Sequence, residues 1–325
     1  LSGLSLAVVT PQQIYNEFSS GSQDATAIRD FAKFLYNKEK PLKYLLLFGD
    51  ASYDPKNRLP NNTNFIVSFQ SPTSPNATTI NELYSYVTDD YFAILDDQET
   101  IFSNDTIPFL DIGVGRFPVQ NVIDAKIVVD KVLSYNAEES YGDWRLNMCF
   151  VGDDNDEMNE TTHSMQSEEL ADYIAEFYPA MNVDKIYLDA YEQESSTGGQ
   201  RCLSVNNAIS DAVNKGMFLI NYNGHGGELG WAHERILEVD DLNSWSNKYK
   251  LPLFMTATCE FSRYDDPSRV SAGEQVFLKE NAGAIALLTT SRVVFTGSNK
   301  NLNESFLENL FPKENDQAFP RLGDV

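Results

Sequence analysis

Two apolar, β-prone runs each stop on a chemically active side chain, and this pairing constrains the fold more than any other feature of the chain. Residues 217–227 read Met-Phe-Leu-Ile-Asn-Tyr-Asn-Gly-His-Gly-Gly, and residues 251–260 read Leu-Pro-Leu-Phe-Met-Thr-Ala-Thr-Cys-Glu. Both runs are expected to be buried strands of a largely parallel sheet. Parallel neighbours end on one edge of their sheet, and ligands bind at that edge. With a helix between the strands, His225 and Cys259 meet there, although 34 positions separate them. A thiol nucleophile needs its base placed in this way. Gly224, Gly226 and Gly227 allow a tight turn and close backbone approach. The N–H groups of Gly226 and Cys259 are candidates to face a developing oxyanion. A bland reading stands beside this one: a cysteine after an apolar run is most often inert core, and a histidine between glycines is often a turn residue.

The rest of the pattern alternates strands with helices, which gives an α/β class. A chain of 325 residues exceeds the usual single domain. Two subdomains are expected, 1–141 and 142–311, followed by a loosely ordered tail or junction at 312–325. Short strands are expected at 4–9, 44–48, 65–69 and 107–114. A helix is expected near 24–38, capped by Asp24, with Ala25, Ile28, Phe31, Ala32 and Leu35 facing the sheet. Pro118 should start a helix to about 138, with Val122, Ala125, Val129, Val132 and Leu133 inside. The second unit should carry strands at 146–151, 183–188 and 284–289. Its helices are placed at 160–177, at 204–215 with Ser204 as cap, at 271–281 and at 298–311. Leu45-Leu46-Leu47-Phe48-Gly49-Asp50 resembles the run that ends in Gly152-Asp153, 103 positions later. The likeness suggests two similar units, although βα turns commonly use glycine and aspartate.

Composition excludes several classes. The formal charge is −24, from 24 basic and 48 acidic residues. No local basic patch offers a nucleic-acid groove or an anionic-membrane contact. No run of eighteen apolar residues predicts a membrane span. Cys149, Cys202 and Cys259 are too few and too scattered for a disulfide framework or a CxxC metal pattern. Cys149 reads as core, and a Cys149–Cys202 bridge is left open. The chain begins at Leu1 with neither Met nor a signal peptide, as a processed or excised segment would.

The two runs carry a resemblance. A strand ending Tyr222-Asn223-Gly224-His225-Gly226, then Trp231, then Ala257-Thr258-Cys259, is similar to the gingipain family of caspase-related cysteine peptidases. Thr88-Asp89-Asp90-Tyr91-Phe92 and Ile112-Gly113-Val114-Gly115-Arg116-Phe117 extend the likeness over nearly the whole chain. Thr258 between Ala257 and Cys259, with Glu260 following, departs from the family's pattern. The nearest flavour is the gingipain-like sortase of type IX secretion systems. The resemblance implies two adjacent caspase-like three-layer α/β/α subdomains, a protein or peptide substrate, other secretion-system components as partners, and an extracellular or outer-membrane surface location in a Gram-negative bacterium. It implies that an acidic residue orients the histidine, at Asp154 or its neighbour Asp153. It implies no cofactor for the chemistry but structural calcium. Asp153, Asp154, Asp156 and Glu157 offer a cluster of hard oxygens, without the spacing of an EF-hand loop. Family substrate preference rests on an acidic pocket residue; Ser164 takes that place here, so a preference for Arg or Lys is not implied. Trp231 and Glu260 are further candidates for the pocket, Trp231 being equally readable as core. His163 and His233 are expected on the surface.

In the implied mechanism Cys259 attacks a peptide carbonyl while His225 accepts the thiol proton and later protonates the leaving amine. A thioacyl-enzyme forms. Water then gives hydrolysis, and an incoming amine gives transpeptidation. Two rivals are a catalytically inactive α/β module that binds proteins in a secretion or surface complex, and a hydrolase with another nucleophile. No Gly-X-Ser-X-Gly elbow, dinucleotide fingerprint or P-loop supports the latter.

Overall fold

The computed structural model describes residues 3–71, 85–101, 108–154, 162–196, 199–313 and 319–325. The N-terminal part opens with helices α1 (Pro11–Phe18) and α2 (Ala25–Tyr36). Thr10 and Gln13 close a capping box on α1, and the Asp24 carboxylate accepts the Thr26 N–H to start α2. Ile14, Tyr15, Ala27 and Ile28 pack against Leu47 of β1 (Tyr44–Phe48). β1 pairs in parallel with β2 (Gly113–Phe117), with Leu46 opposite Gly115. The strand expected at 65–69 survives only as Phe69–Gln70, antiparallel to Val87–Thr88. Residues 4–9 form no strand, and Leu6 and Val8 are exposed.

Helix α3 (Val122–Tyr135) begins after an Asn121 cap, four residues beyond Pro118. Its inner face also differs from expectation. Val122, Val129, Val132 and Leu133 are exposed, whereas Val128 and Lys131 are buried. The helix is apolar nearly all round, so periodicity does not choose a face. The partner chooses: Val128 packs on Phe277, and Lys131 Nζ donates to the Phe277 carbonyl at 2.6 Å.

The second part is a five-stranded sheet flanked by helices. Along the chain it runs β3 (Asn147–Gly152), α4 (Thr162–Phe177), β4 (Asn182–Tyr187), α5 (Leu203–Lys215), β5 (Leu219–Asn223), β6 (Leu253–Ala257), α6 (Ala272–Leu278), β7 (Ala286–Leu288) and α7 (Thr296–Leu310). The spatial order is β7-β6-β5-β3-β4, and every pairing is parallel. Cys202, not Ser204, stands at the α5 cap position. Strand side chains alternate with the period of two that a pleated strand imposes. Met148, Phe150, Leu219, Leu253 and Met255 meet Leu170 and Ile174 of α4 and Leu307 and Leu310 of α7. Cys149, Val151, Ile220, Tyr222 and Phe254 meet Val205 and Ile209 of α5 and Val276 of α6. Three layers result, helix on sheet on helix. Cys149 and Cys202 are both buried, and neither is in a disulfide.

Strand order reverses between β3 and β5, because the chain lays β4 on one side of β3 and then returns to the other. Such a switch point opens a crevice at the carboxyl ends of the strands. Asp153 spans it: its N–H donates to the Asn223 carbonyl at 3.0 Å. The end of the chain reaches the other sheet, where Tyr44 Oη donates to Asp324, whereas Phe319 packs on Tyr178 and Phe311 of the second part.

Candidate active site

The register of β5 and β6 pairs Ala257 with Asn223, so Cys259 and His225 each stand two residues beyond the same rung. Neighbouring strands lie about 4.8 Å apart. The two loops stay together past the ladder. Gly224 N–H reaches the Ala257 carbonyl at 3.4 Å, and a Cβ on Gly226 would stand 2.5 Å from Thr258 Oγ1. Only glycine permits that approach.

The histidine loop is held by its backbone. His225 N–H donates to Asp153 Oδ2 at 2.7 Å, and the His225 carbonyl accepts from Tyr222 Oη at 2.6 Å and from Ala232 N–H at 2.8 Å. Tyr222 is fully buried and stacks on Trp231, with centroids 4.3 Å apart and planes 8° from parallel. Gly224 fits between these partners: an added Cβ would lie 2.3 Å from Tyr222 Oη and 2.5 Å from Asp153 Cβ. Burial pushes the Asp153 carboxyl up to about 7; the His225 N–H bond opposes this, and nearby Asp154 and Glu234 add to it.

Cys259 is half-buried, and its thiol lies 3.9 Å from the Val294 carbonyl, to which it donates. Glu260, the next residue, takes φ +53°. A non-glycine side chain in the left-handed region is strained, and such residues gather at functional turns. Desolvation raises the Cys149 thiol to about 12, which leaves it inert toward electrophiles at neutral pH.

The other expected site residues fall out as follows. Asp153 Oδ2 accepts the His225 backbone N–H, and Asp154 Oδ2 accepts from Gln193 Nε2. Ser164 lies half-buried in the first turn of α4, its hydroxyl 3.5 Å from Asp189 Oδ2. Trp231 has no exposed surface and packs on Phe254 and Phe261. It is core, not a pocket wall, because its ring is enclosed by Tyr222, Phe254 and Phe261. Glu260 is half-buried and pairs with Arg263 at 3.1 Å; Arg263 in turn reaches Glu228 at 2.8 Å.

Histidine placement corrects one expectation. His163 is buried, not surface, and its ring stands edge-on to His225 with centroids 5.1 Å apart. His233 is exposed, yet its ring lies 5.3 Å from His225 and nearly parallel to it. All three histidines of the chain thus gather at one rim. Their sequence spacing gives no hint of this, since α4 supplies His163 and the segment after β5 supplies His225 and His233.

Among the described residues, Asp153, Asp154 and Glu234 bring carboxylate oxygens within 4.8 Å of one another. An all-oxygen, anionic donor set suits a hard cation such as calcium rather than zinc. Asp156 and Glu157 lie outside the described residues.

The sequence profile of peptidase family C25 matches residues 2–325. The chain belongs to peptidase family C25. Membership implies a cysteine peptidase, and the fold agrees. The Arg-specific cysteine proteinase gingipain R (RgpB) superposes with a TM-score of 0.70 at 18% identity, over 95% of this chain and 62% of that one. The complex of the Porphyromonas gingivalis RgpB pro- and mature domains gives 0.64 at 18% identity, over 94% and 62%. Dimeric latent PorU from Porphyromonas gingivalis is 37% identical, over 41% of this chain and 13% of that one, with a TM-score of 0.32. The C25 chain described here therefore spans 62% of the length of the gingipain chains it superposes on. No curated protein sequence matches it.

Proposed function

We propose that this chain is a cysteine endopeptidase in which Cys259 is the nucleophile and His225 the general acid–base. The observation that carries the reading is the β5–β6 register, which sets both residues two positions past one rung of a parallel sheet. A thiol of ordinary pKa is mostly protonated at neutral pH, so proton removal by a nearby imidazole is what activates it. His225 then returns the proton to the leaving amine. Asp153 fixes the histidine loop, and Asp154 is proposed as the neighbouring carboxylate that supports it. The N–H groups of Gly226 and Cys259 are proposed to receive the oxyanion, with Ser164 and Glu260 near the substrate side chain.

The substrate in this reading is a protein or peptide, met at the cell surface or outer membrane and delivered by other secretion-system components. Removal of a C-terminal sorting signal, with water or an amine as the second acceptor, is the sortase form of the same chemistry. Units 1–141 and 142–311 are proposed as the two caspase-like subdomains. Asp153, Asp154 and Glu234 would hold a calcium ion that supports the structure and takes no part in bond cleavage. Among the described residues no helix is long and apolar enough to cross a membrane.

Peptide turnover with and without an added amine tests the proposal. Cleavage that vanishes in Cys259→Ala and His225→Ala supports it, and an amine-linked product identifies transfer. Peptide binding without turnover in the unaltered chain would instead assign a recognition module.

A further inference from the structure

We propose that Arg292 is a positioning residue that clamps the turn carrying Cys259 at both ends. The inference rests on Cys259 being the nucleophile. The segment after β7 runs alongside the nucleophile turn. Thr290 Oγ1 donates to the Thr258 carbonyl, and Ser262 N–H donates to the Thr290 carbonyl at 3.0 Å. Glu260 N–H donates to the Arg292 carbonyl at 3.2 Å, and the Cys259 thiol faces the Val294 carbonyl. The backbone of Arg292 therefore holds the residue that follows the sulfur, the one at φ +53°.

The side chain of Arg292 holds the far end of the same turn. Its Nη1 reaches Asp265 Oδ1 at 2.7 Å and its Nη2 reaches Asp265 Oδ2 at 2.6 Å. The two side chains are 5% and 0% exposed. A parallel, two-bond fork fixes angle as well as distance, which a lysine ammonium cannot do. A buried pair of this kind is weak evidence for stability; what it supplies here is the angle and distance that its two bonds define. Asp265 is itself a fixed post. Gln70 Nε2 donates to its Oδ2 at 3.0 Å, and Tyr53 N–H donates to its carbonyl at 2.9 Å. Ser291 Oγ donates to the Val87 carbonyl at 3.1 Å, and Arg292 Nε lies 3.4 Å from Ser85 Oγ. Tyr53, Gln70, Ser85 and Val87 thus brace this turn from outside the five-stranded sheet. One residue spans the turn from Glu260 to Asp265 and ties its shape to the N-terminal part of the chain.

The consequence is on rate rather than affinity. Misplacing a reacting atom by about 1 Å costs on the order of 100-fold. Arg292→Lys keeps charge and length but loses the fork, and Asp265→Asn keeps shape but weakens it. Turnover per active site, with sites counted by stoichiometric reaction with a thiol-directed peptidyl electrophile, should fall by about 10- to 100-fold in each. KM should stay within about 2-fold of the unaltered protein. Gln70→Leu removes one brace and leaves the ion pair, so it should show the same pattern at about 2- to 5-fold. It serves as the test if the buried-pair variants do not fold. A purely structural role for Arg292 would lower the number of titratable sites and leave turnover per site unchanged, and that result overturns the proposal. So does a change confined to KM. If the unaltered protein labels Cys259 no faster than Cys202, the nucleophile assignment itself fails, and the clamp falls with it before any variant is compared.

Discussion

Asp50 and Asp153 stand at the same corner of two different sheets. Each follows a glycine at the carboxyl end of the first strand, and each N–H crosses to a carbonyl at or beyond the end of the neighbouring parallel strand: Asp50 to Val119 at 3.1 Å, Asp153 to Asn223 at 3.0 Å. In each, Oδ1 accepts the next residue's N–H, from Ala51 at 2.9 Å and from Asp154 at 3.1 Å. Both are buried, and desolvation raises both carboxyls to about 7. They differ in the second oxygen. Asp50 Oδ2 accepts the Thr63 hydroxyl at 2.5 Å, whereas Asp153 Oδ2 accepts the His225 N–H at 2.7 Å. The corner is a backbone device that closes a parallel crevice. In the function proposed above, chemistry enters only where the adjacent strand delivers a histidine and the strand beyond it a cysteine.

The sharpest contrast is in activity. Cys259→Ala and His225→Ala should each lower peptide turnover by about 1000-fold or more, as removal of a nucleophile or its base does, while leaving the melting temperature nearly unchanged. A residue that fills the second corner should act next. Gly224→Ala drives a methyl into Tyr222 Oη and Asp153 and should cost on the order of 2–4 kcal/mol in denaturant unfolding. Gly227→Ala, with open space around the new Cβ, should stay within about 0.5 kcal/mol.

The two aspartates then separate by function. Asp153→Asn should lower turnover by about 10- to 100-fold, because it loosens the histidine loop. Asp50→Asn should leave turnover per folded molecule unchanged and alter only stability, by about 1–3 kcal/mol. Equal effects on turnover would break the comparison.

How far this was readable in sequence follows from the physics of each element. The strands of the five-stranded sheet are legible because a strand buried on both faces is largely apolar, as β3 and β6 are; β5 keeps Leu219, Ile220 and Tyr222 but also buries Asn221 and Asn223, which hydrogen-bond with Asn303. His225 and Cys259 were legible because they terminate such runs. The buried face of helix α3 is not legible in sequence, because a helix apolar nearly all round leaves that choice to its neighbour, and that neighbour, Phe277, also accepts a hydrogen bond from buried Lys131. Residues 4–9 have strand-like composition but pair with no strand among the described residues, and pairing is not written in composition. His163 sits in the first turn of a helix whose preceding loop carries no periodic signal; only the packing of α4 on β3 turns it inward. Arg292 reads as an ordinary loop residue until Asp265 appears opposite it.

A smaller effect concerns pH. The Asp50 carboxyl rises from 3.8 to about 7 on folding. Between those values the unfolded chain has released a proton that the folded chain keeps, so raising the pH favours unfolding. The stability contribution of the neutral carboxyl is complete below about 4 and is lost as the pH rises through 7. Asp50→Asn should flatten this part of the stability curve, seen as a melting temperature that declines less between pH 5 and 8 than in the unaltered protein. An unchanged slope would show that Asp50 is not held neutral by its corner.

The account stands most directly on which sulfur reacts. A thiol-directed peptidyl electrophile, followed by mass mapping of the modified residue, should label Cys259 at least about 100-fold faster than Cys149 or Cys202, and His225→Ala should abolish that preference. Uniformly slow labelling of the three cysteines, or a Cys259 rate untouched by His225→Ala, would contradict it.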